Sequence, residues 1–101
     1  MITIRGENVY PAEVEAALAE HPAVMEVGVI GVPSEKWGED VKACVVLRAG
    51  TTVSAEDLIG HSRAHLAAFK CPKTVDFLEA LPRTGTGKVL KRALRERYSA
   101  A

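Results

Sequence analysis

The chain has 101 residues, of which 48% are hydrophobic and 26% charged, and its formal net charge is zero. This is the size and composition of one globular domain, and it excludes disordered, fibrous and membrane-spanning classes. A domain this small cannot enclose a nucleotide together with a second substrate, so any chemistry is expected at a surface that faces another domain. Two isolated cysteines are too few for a disulfide framework, and we therefore expect a protein of the reducing cytoplasm.

The first half of the chain predicts a strand, a helix and a pair of strands. Residues 2–4 alternate apolar and polar side chains, and the glycine and asparagine of residues 5–8 indicate a turn. Pro11 suits the first position of a helix, whose apolar face passes through Val14 and which ends before Pro22. Two β-branched runs then predict antiparallel strands joined by a loop, at residues 24–32 and 41–47.

The second half predicts helix, strand and helix. Ser54 with Asp57 forms a capping box that opens a helix continuing through Leu66. A connector, a third strand, a loop and a last helix with Leu90 facing inward follow, at residues 69–73, 74–78, 82–87 and 90–98. The order is β-α-β-β-α-β-α, which predicts a small α+β sandwich with a central, mostly antiparallel sheet flanked by helices.

Residues 82–88 (PRTGTGK) superficially resemble a phosphate-binding P-loop. That motif requires a glycine at the first position and a serine or threonine after the lysine, whereas this chain has Pro82 and Val89. The segment is therefore predicted to be a mobile loop in which Gly85 and Gly87 allow close approach to another surface. The loop ends in one ammonium group, that of Lys88, which can reach a carboxylate or phosphate oxygen.

Charge is distributed unevenly along the chain. Residues 70–97 contain eight basic and three acidic residues, a net charge of +5, and the rest of the chain carries −5. A basic segment suggests an anionic ligand or a solvated helix face. His61 and His65 are four residues apart on one predicted helix face, but no third ligand has a suitable spacing. We therefore predict a solvated surface there and no metal site.

Several blocks in a fixed order give the chain a specific family resemblance. They comprise residues 8–15, 21–24, 31–33 with 37–39, 69–73, 81–88 and 94–95. Together they resemble the C-terminal domain of the adenylate-forming (AMP-binding) superfamily, most closely that of acyl-CoA synthetases. The resemblance covers essentially the whole chain and implies that residues 1–101 are a mobile lid domain whose large N-terminal adenylation domain is absent.

The resemblance implies the activity of an acid–CoA ligase in the full-length enzyme. Such an enzyme joins ATP, held with Mg²⁺ by the large domain, to a carboxylic acid as an acyl-adenylate, and then transfers the acyl group to the thiol of coenzyme A. The small domain alternates between two poses, and Lys88 resembles the lysine that enters the active site for adenylation. A positioned ammonium would offset the repulsion between the carboxylate and the α-phosphate.

The resemblance also implies two sets of contacts with coenzyme A. The loop facing the pantetheine arm would contain Arg5, Gly6 and Glu7. The side chains at the nucleotide end of the cofactor would be Trp37, Phe69 and Lys73, although core packing explains the two aromatic residues equally well. Some relatives have a basic residue where this chain has Cys71, so one phosphate contact is expected to be missing or supplied elsewhere.

Two alternatives remain open at this stage. A peptide-synthetase adenylation domain would have the same fold and would load a carrier protein instead of coenzyme A. A small nucleic-acid or protein-binding module would use the basic segment, but with only five aromatic residues the chain lacks the interleaved exposed aromatics of such modules. The acyl pocket would belong to the absent domain, so fatty, aromatic and small dicarboxylic acids fit equally well.

Overall fold

The computed structural model describes residues 2–4, 6–35 and 38–99. Within these ranges the strands are β1 (Ile2–Ile4), β2 (Glu7–Val9), β3 (Val24–Ser34), β4 (Gly38–Leu47) and β5 (Thr74–Phe77). The helices are α1 (Pro11–Ala19), α2 (Ala55–Arg63) and α3 (Lys91–Ser99), with a short 3-10 helix at Ala68–Lys70. The α+β class and the helix-flanked sheet predicted from the sequence are confirmed.

A three-stranded sheet in the order β3-β4-β5 forms the centre of the molecule. β3 and β4 are long antiparallel strands with Ile30 opposite Lys42, and β5 adds to β4 in parallel. The β-branched runs favour this structure because branched side chains pack well on a pleated surface. Most of the paired residues of the sheet belong to the long β3–β4 ladder, so the sheet is mostly antiparallel, as predicted.

Both faces of the sheet are apolar, which explains why residues 43–47 of β4 form a continuous hydrophobic run. Ala43 and Val45 lie on one face, in a core that α1 and α2 complete. Cys44 and Val46 lie on the opposite face, where Leu94 of α3 covers them. Successive residues of a strand point to opposite sides, so a strand buried on both faces loses the usual alternation of apolar and polar residues. Cys44 is fully buried and packs as a small core residue.

The N-terminal turn is part of a second, two-stranded sheet. The sequence predicts only a turn at residues 5–8, but Glu7 and Asn8 belong to β2 and pair with β1. A three-residue strand with one buried side chain, Val9, gives no periodic signal, which is why the prediction missed it. The N–H of Thr3 also donates to Oε1 of Glu39, 3.0 Å away, and this bond ties the small sheet to β4.

Two helix boundaries differ from the prediction. α2 begins as predicted, with Oγ of Ser54 accepting from the N–H of Asp57 at 3.1 Å, but it ends at Arg63. Leu66 still packs against the core from outside the helix. Leu90 was expected inside the last helix, yet it is exposed and precedes α3, because its N–H donates to the carbonyl of Pro82 at 2.7 Å.

No helix among the described residues is both long enough and apolar enough to cross a membrane.

Candidate functional site

Residues 82–90 form a closed hairpin rather than an open loop. The N–H groups of Thr84, Gly87 and Leu90 donate to the carbonyls of Lys88, Thr84 and Pro82 at 2.8, 2.9 and 2.7 Å. This pattern is a β-turn followed by a residue in the left-handed region, one of the common short hairpin connections. Lys88 therefore directly follows a turn whose backbone hydrogen bonds are satisfied.

The two glycines of this hairpin have different roles. Gly87 has φ +88°, a conformation that L side chains rarely adopt, so the turn requires a glycine there. Gly85 does not have a positive φ, and a Cβ added to it would meet no atom within 4 Å. Only Gly87 is needed to build the turn, and Gly85 leaves open space beside it.

The ammonium of Lys88 is exposed and has no hydrogen bond or ion pair within the described part of the chain. The neighbouring cations are engaged instead. Arg83 donates through Nη1 to the carbonyl of Gly87 at 2.7 Å and pairs with Glu26 of β3. These contacts fix the base of the hairpin to the sheet. Lys88, which follows Gly87, is left as the unpaired charge at the end of the hairpin.

A second set of contacts holds the start of α3. Nζ of Lys91 lies 2.5 Å from Oε2 of Glu15 on α1 and donates to the carbonyl of Val29 at 2.9 Å. The same carboxylate oxygen accepts from the N–H of Val29 at 2.8 Å. Lys91 thus joins one helix, one strand and the segment that carries Lys88. Sequence reasoning missed this role because the partners are 62 and 76 residues away along the chain.

The far end of α3 is held through Tyr98. Burial, and then the hydrogen bond that its hydroxyl donates to Asp76, raises the pKa of Tyr98 to about 12. Nζ of Lys42 lies 4.5 Å from the centre of the Tyr98 ring and 3.3 Å from Oδ1 of Asp76. Burial also raises the pKa of the nearby Cys44 thiol, so this sulfur stays protonated at neutral pH. These contacts fix α3 to the sheet and provide no reactive group.

Phe69, Cys71 and Lys73 lie together around a shallow pocket of about 180 Å³, which Ile4 and Asp40 also line. Phe69 is 41% exposed, so the alternative of core packing is wrong for this residue. The pocket is smaller than the roughly 300–1,000 Å³ of sites that enclose a small molecule, and it can therefore contact only part of a ligand at the surface.

Two residues of the loop predicted to face the pantetheine arm are described: Gly6 directly precedes β2, and Glu7 is its first residue. Ile4, which lines the same pocket, is the last residue of β1. Gly6 has φ +81° and is exposed, as is Glu7. Arg5 and Trp37 lie outside the described residues. The structure thus brings Phe69 and Lys73 together near the beginning of this loop.

Ion pairs neutralise much of the basic segment. Four of its eight cations contact a carboxylate, in the pairs Lys70–Glu13, Arg83–Glu26, Lys91–Glu15 and Arg92–Glu96. Three of those carboxylates come from the acidic first third of the chain, where they fold back onto the basic segment. Lys73 and Lys88 make no ion pair within the described residues. These are the two lysines that the sequence predicts to contact a ligand.

The described residues thus form a small α+β domain that presents a lysine on a hydrogen-bonded hairpin and a shallow pocket at its surface. The chain belongs to the AMP-binding enzyme C-terminal domain family, whose model matches residues 13–88. The family resemblance found in the sequence is thereby confirmed.

Individual relatives are similar over nearly the whole chain. The long-chain-fatty-acid–CoA ligase FadD13 of Mycobacterium tuberculosis is 50% identical over 100 residues, which are 99% of this chain and 20% of the relative. The 4-chlorobenzoate–CoA ligase of Pseudomonas sp. (strain CBS-3) is 50% identical over 101 residues, 99% of this chain and 19% of the relative. A solved Mycobacterium tuberculosis fatty acyl CoA synthetase matches with a TM-score of 0.92 at 50% identity, covering 98% of this chain and 20% of that one. The chain spans about a fifth of the length of the curated relatives that it matches.

Proposed function

We propose that this chain is the C-terminal domain of an ATP-dependent, AMP-forming acid–CoA ligase and that Lys88 contributes to the adenylation step. The observation that carries the proposal is the free ammonium of Lys88 at the end of a hydrogen-bonded hairpin, in a chain of this family. The relatives named above are ligases that join an acid to coenzyme A, and the rest of the site would come from a large N-terminal domain. ATP and coenzyme A occur together in the cytoplasm, where we place the reaction.

The role of Lys88 follows from the charges that adenylation brings together. An acid carboxylate attacks the α-phosphorus of ATP, a P–O bond forms, and pyrophosphate leaves with the electron pair of the broken P–O bond. Magnesium bound with ATP in the large domain would neutralise part of this charge. A lysine at the reacting oxygens stabilises the negative charge that develops on them, and it needs only to stay protonated.

Coenzyme A would bind at the shallow pocket during the second step. The exposed ring of Phe69 offers a face on which adenine can stack, and the unpaired ammonium of Lys73 can meet a phosphate. Cys71 supplies no charge where some relatives have a basic residue, so Lys73 is the cation of this pocket. Trp37 stays a proposed contact at the nucleotide end. Arg5, Gly6 and Glu7 would face the pantetheine arm, whose thiol attacks the acyl-adenylate and releases AMP.

The test separates the two half-reactions in the full-length enzyme. Lys88→Ala is expected to slow acyl-adenylate formation, followed as pyrophosphate release, by about 100–1,000-fold, the usual effect of removing one donor that stabilises transition-state charge. Thioester formation from a supplied acyl-adenylate should be unchanged. Arg95→Ala is the matched control, since it removes another exposed cation from the same segment, and both rates should be preserved. An equal loss in both half-reactions would disprove the role assigned to Lys88.

The acceptor is tested with the same enzyme. Thioester formation should be rapid with free coenzyme A and slow with a phosphopantetheinylated carrier protein, and Phe69→Ala and Lys73→Ala should raise KM for coenzyme A without slowing adenylation. A preference for the carrier protein would favour the peptide-synthetase alternative and overturn the choice of coenzyme A.

A further inference from the structure

The C-terminal ends of α1 and α2 bring together three side chains that can bind a metal ion. Glu20 follows the last residue of α1, His61 lies in the last turn of α2, and His65 follows that helix. One ligand atom from each residue lies within 4.8 Å of the other two. Sequence analysis predicted a solvated surface because no third ligand stood at a suitable spacing. The fold supplies that third ligand from a distant part of the chain.

His61 is not on a solvated face as predicted, but is half-buried against α1. Its Nε2 lies 2.9 Å from the carbonyl oxygen of Ala17. Because a carbonyl only accepts, Nε2 must bear the proton, and in the neutral ring Nδ1 then has the lone pair. A hydrogen bond from one ring nitrogen to a carbonyl is the arrangement that orients most metal-binding histidines. The rings of His21 and His61 pack in a T-shaped arrangement with their centroids 5.3 Å apart, and this contact restricts His61 further.

Glu20 and His65 already have a separation suited to a shared ion. Nδ1 of His65 lies 3.4 Å from Oε2 of Glu20. Zinc binds nitrogen and oxygen ligands at about 2.0–2.2 Å, so the ligand atoms of a tetrahedral site are about 3.3–3.6 Å apart. Both side chains are exposed and can rotate to close the remaining gap to His61.

The electrostatic field of the backbone also favours a cation here. Two helices end at this place, and each helix C-terminus has a partial negative charge equivalent to about half an elementary charge. Glu20 adds a full negative charge. Two imidazoles with one carboxylate are suited to zinc and its neighbours among the transition metals, whereas calcium and magnesium prefer oxygen ligands alone.

We propose that Glu20, His61 and His65 bind one divalent transition-metal ion of the zinc class, with water completing its coordination. The ion would join the end of α1 to the end of α2 across the core that these helices share. This site is independent of Lys88 and of the proposed ligase function, so either could fail without the other.

The test uses the 101-residue chain and the metal alone. Isothermal titration with Zn²⁺ should show saturable binding of one ion per chain, and Co²⁺ should give the visible absorption of a nitrogen and oxygen site without a thiolate charge-transfer band. Glu20→Gln and His65→Gln should each weaken binding at least 10-fold. Both replaced side chains are exposed, so the variants should keep the far-UV circular dichroism and metal-free Tm of the original chain.

The matched control is Glu56→Gln, which removes an exposed carboxylate from the first turn of the same α2 and should leave zinc affinity unchanged. Zinc at one fixed concentration should also raise Tm of the original chain and of this control, and should raise Tm of Glu20→Gln by less. Absence of saturable binding at millimolar Zn²⁺ overturns the proposal. It is equally overturned if Glu20→Gln and His65→Gln bind as tightly as the original chain, or if a thiolate band shows that a cysteine is the ligand.

Discussion

Alanine at Gly87 and alanine at Gly85 should have opposite effects on stability, although the two positions are two residues apart in one hairpin. Gly87 has φ +88°, and alanine in the left-handed region costs about 1–2 kcal/mol. Both substitutions also restrict the unfolded chain, which stabilises a protein by about 0.4–1 kcal/mol where the native backbone tolerates the new residue. At Gly85 the space beside the backbone is open and no such strain arises.

Comparison of the two variants isolates the strain. The unfolded-state effect is the same Gly→Ala change in both and cancels in the difference, so Gly87→Ala should be about 1–2 kcal/mol less stable than Gly85→Ala. For a domain of this size each kcal/mol corresponds to about 4–8 °C in Tm. Urea unfolding followed by circular dichroism measures the difference directly.

Amide exchange shows whether the strain stays local. If the hairpin opens without global unfolding, the N–H groups of Thr84 and Leu90 should lose protection in Gly87→Ala and keep it in Gly85→Ala. Equal stability and equal exchange in the two variants would refute the reasoning, because the left-handed conformation of Gly87 would then place no constraint on the turn.

Two further predictions concern contacts that hold the helices. Glu15→Ala should lower the free energy of unfolding by about 1–2 kcal/mol, because it leaves the half-buried Lys91 without its carboxylate. Glu13→Ala breaks an exposed ion pair with Lys70 and should lower it by about 0.5 kcal/mol or less. Similar losses in the two variants, measured by urea unfolding, would contradict the role given to the Glu15–Lys91 pair. The raised pKa of Tyr98, about 12 against 10.0 for an ordinary tyrosine, means that the unfolded chain loses this proton first, so stability should fall between pH 10 and 12. Tyr98→Phe should show a smaller fall in alkaline unfolding, and an unchanged pH dependence would exclude the role of Tyr98.

Local sequence signals predicted most of the fold. The β-branched runs gave β3 and β4, and the capping box gave the start of α2, because each signal lies within a few residues of the structure that it produces. Strand β2 and the end of α2 were missed, since pairing with β1 and packing of Leu66 depend on the folded chain rather than on a local period.

The candidate site was predictable only in part. Lys88 stands out through its glycine-rich motif, and the hairpin is consistent with that prediction. Its support was not predictable, because Glu26 lies 57 residues before Arg83 and neither residue is unusual in its own segment. The proposed third metal ligand could not be inferred from the sequence for the same reason: Glu20 approaches His65 only when two helices end at one place.

The contacts that hold the hairpin of Lys88 limit how this residue can move. Arg83 and Lys91 attach the two ends of its segment to β3 and α1 through ion pairs, and backbone hydrogen bonds restrict the turn between them. The side chain of Lys88 can rotate, but its Cα keeps a fixed position relative to the rest of the domain. If Lys88 enters an active site on another domain, as proposed, its ammonium must arrive by reorientation of the whole domain, a collective motion of microseconds to milliseconds, rather than by movement of the hairpin alone.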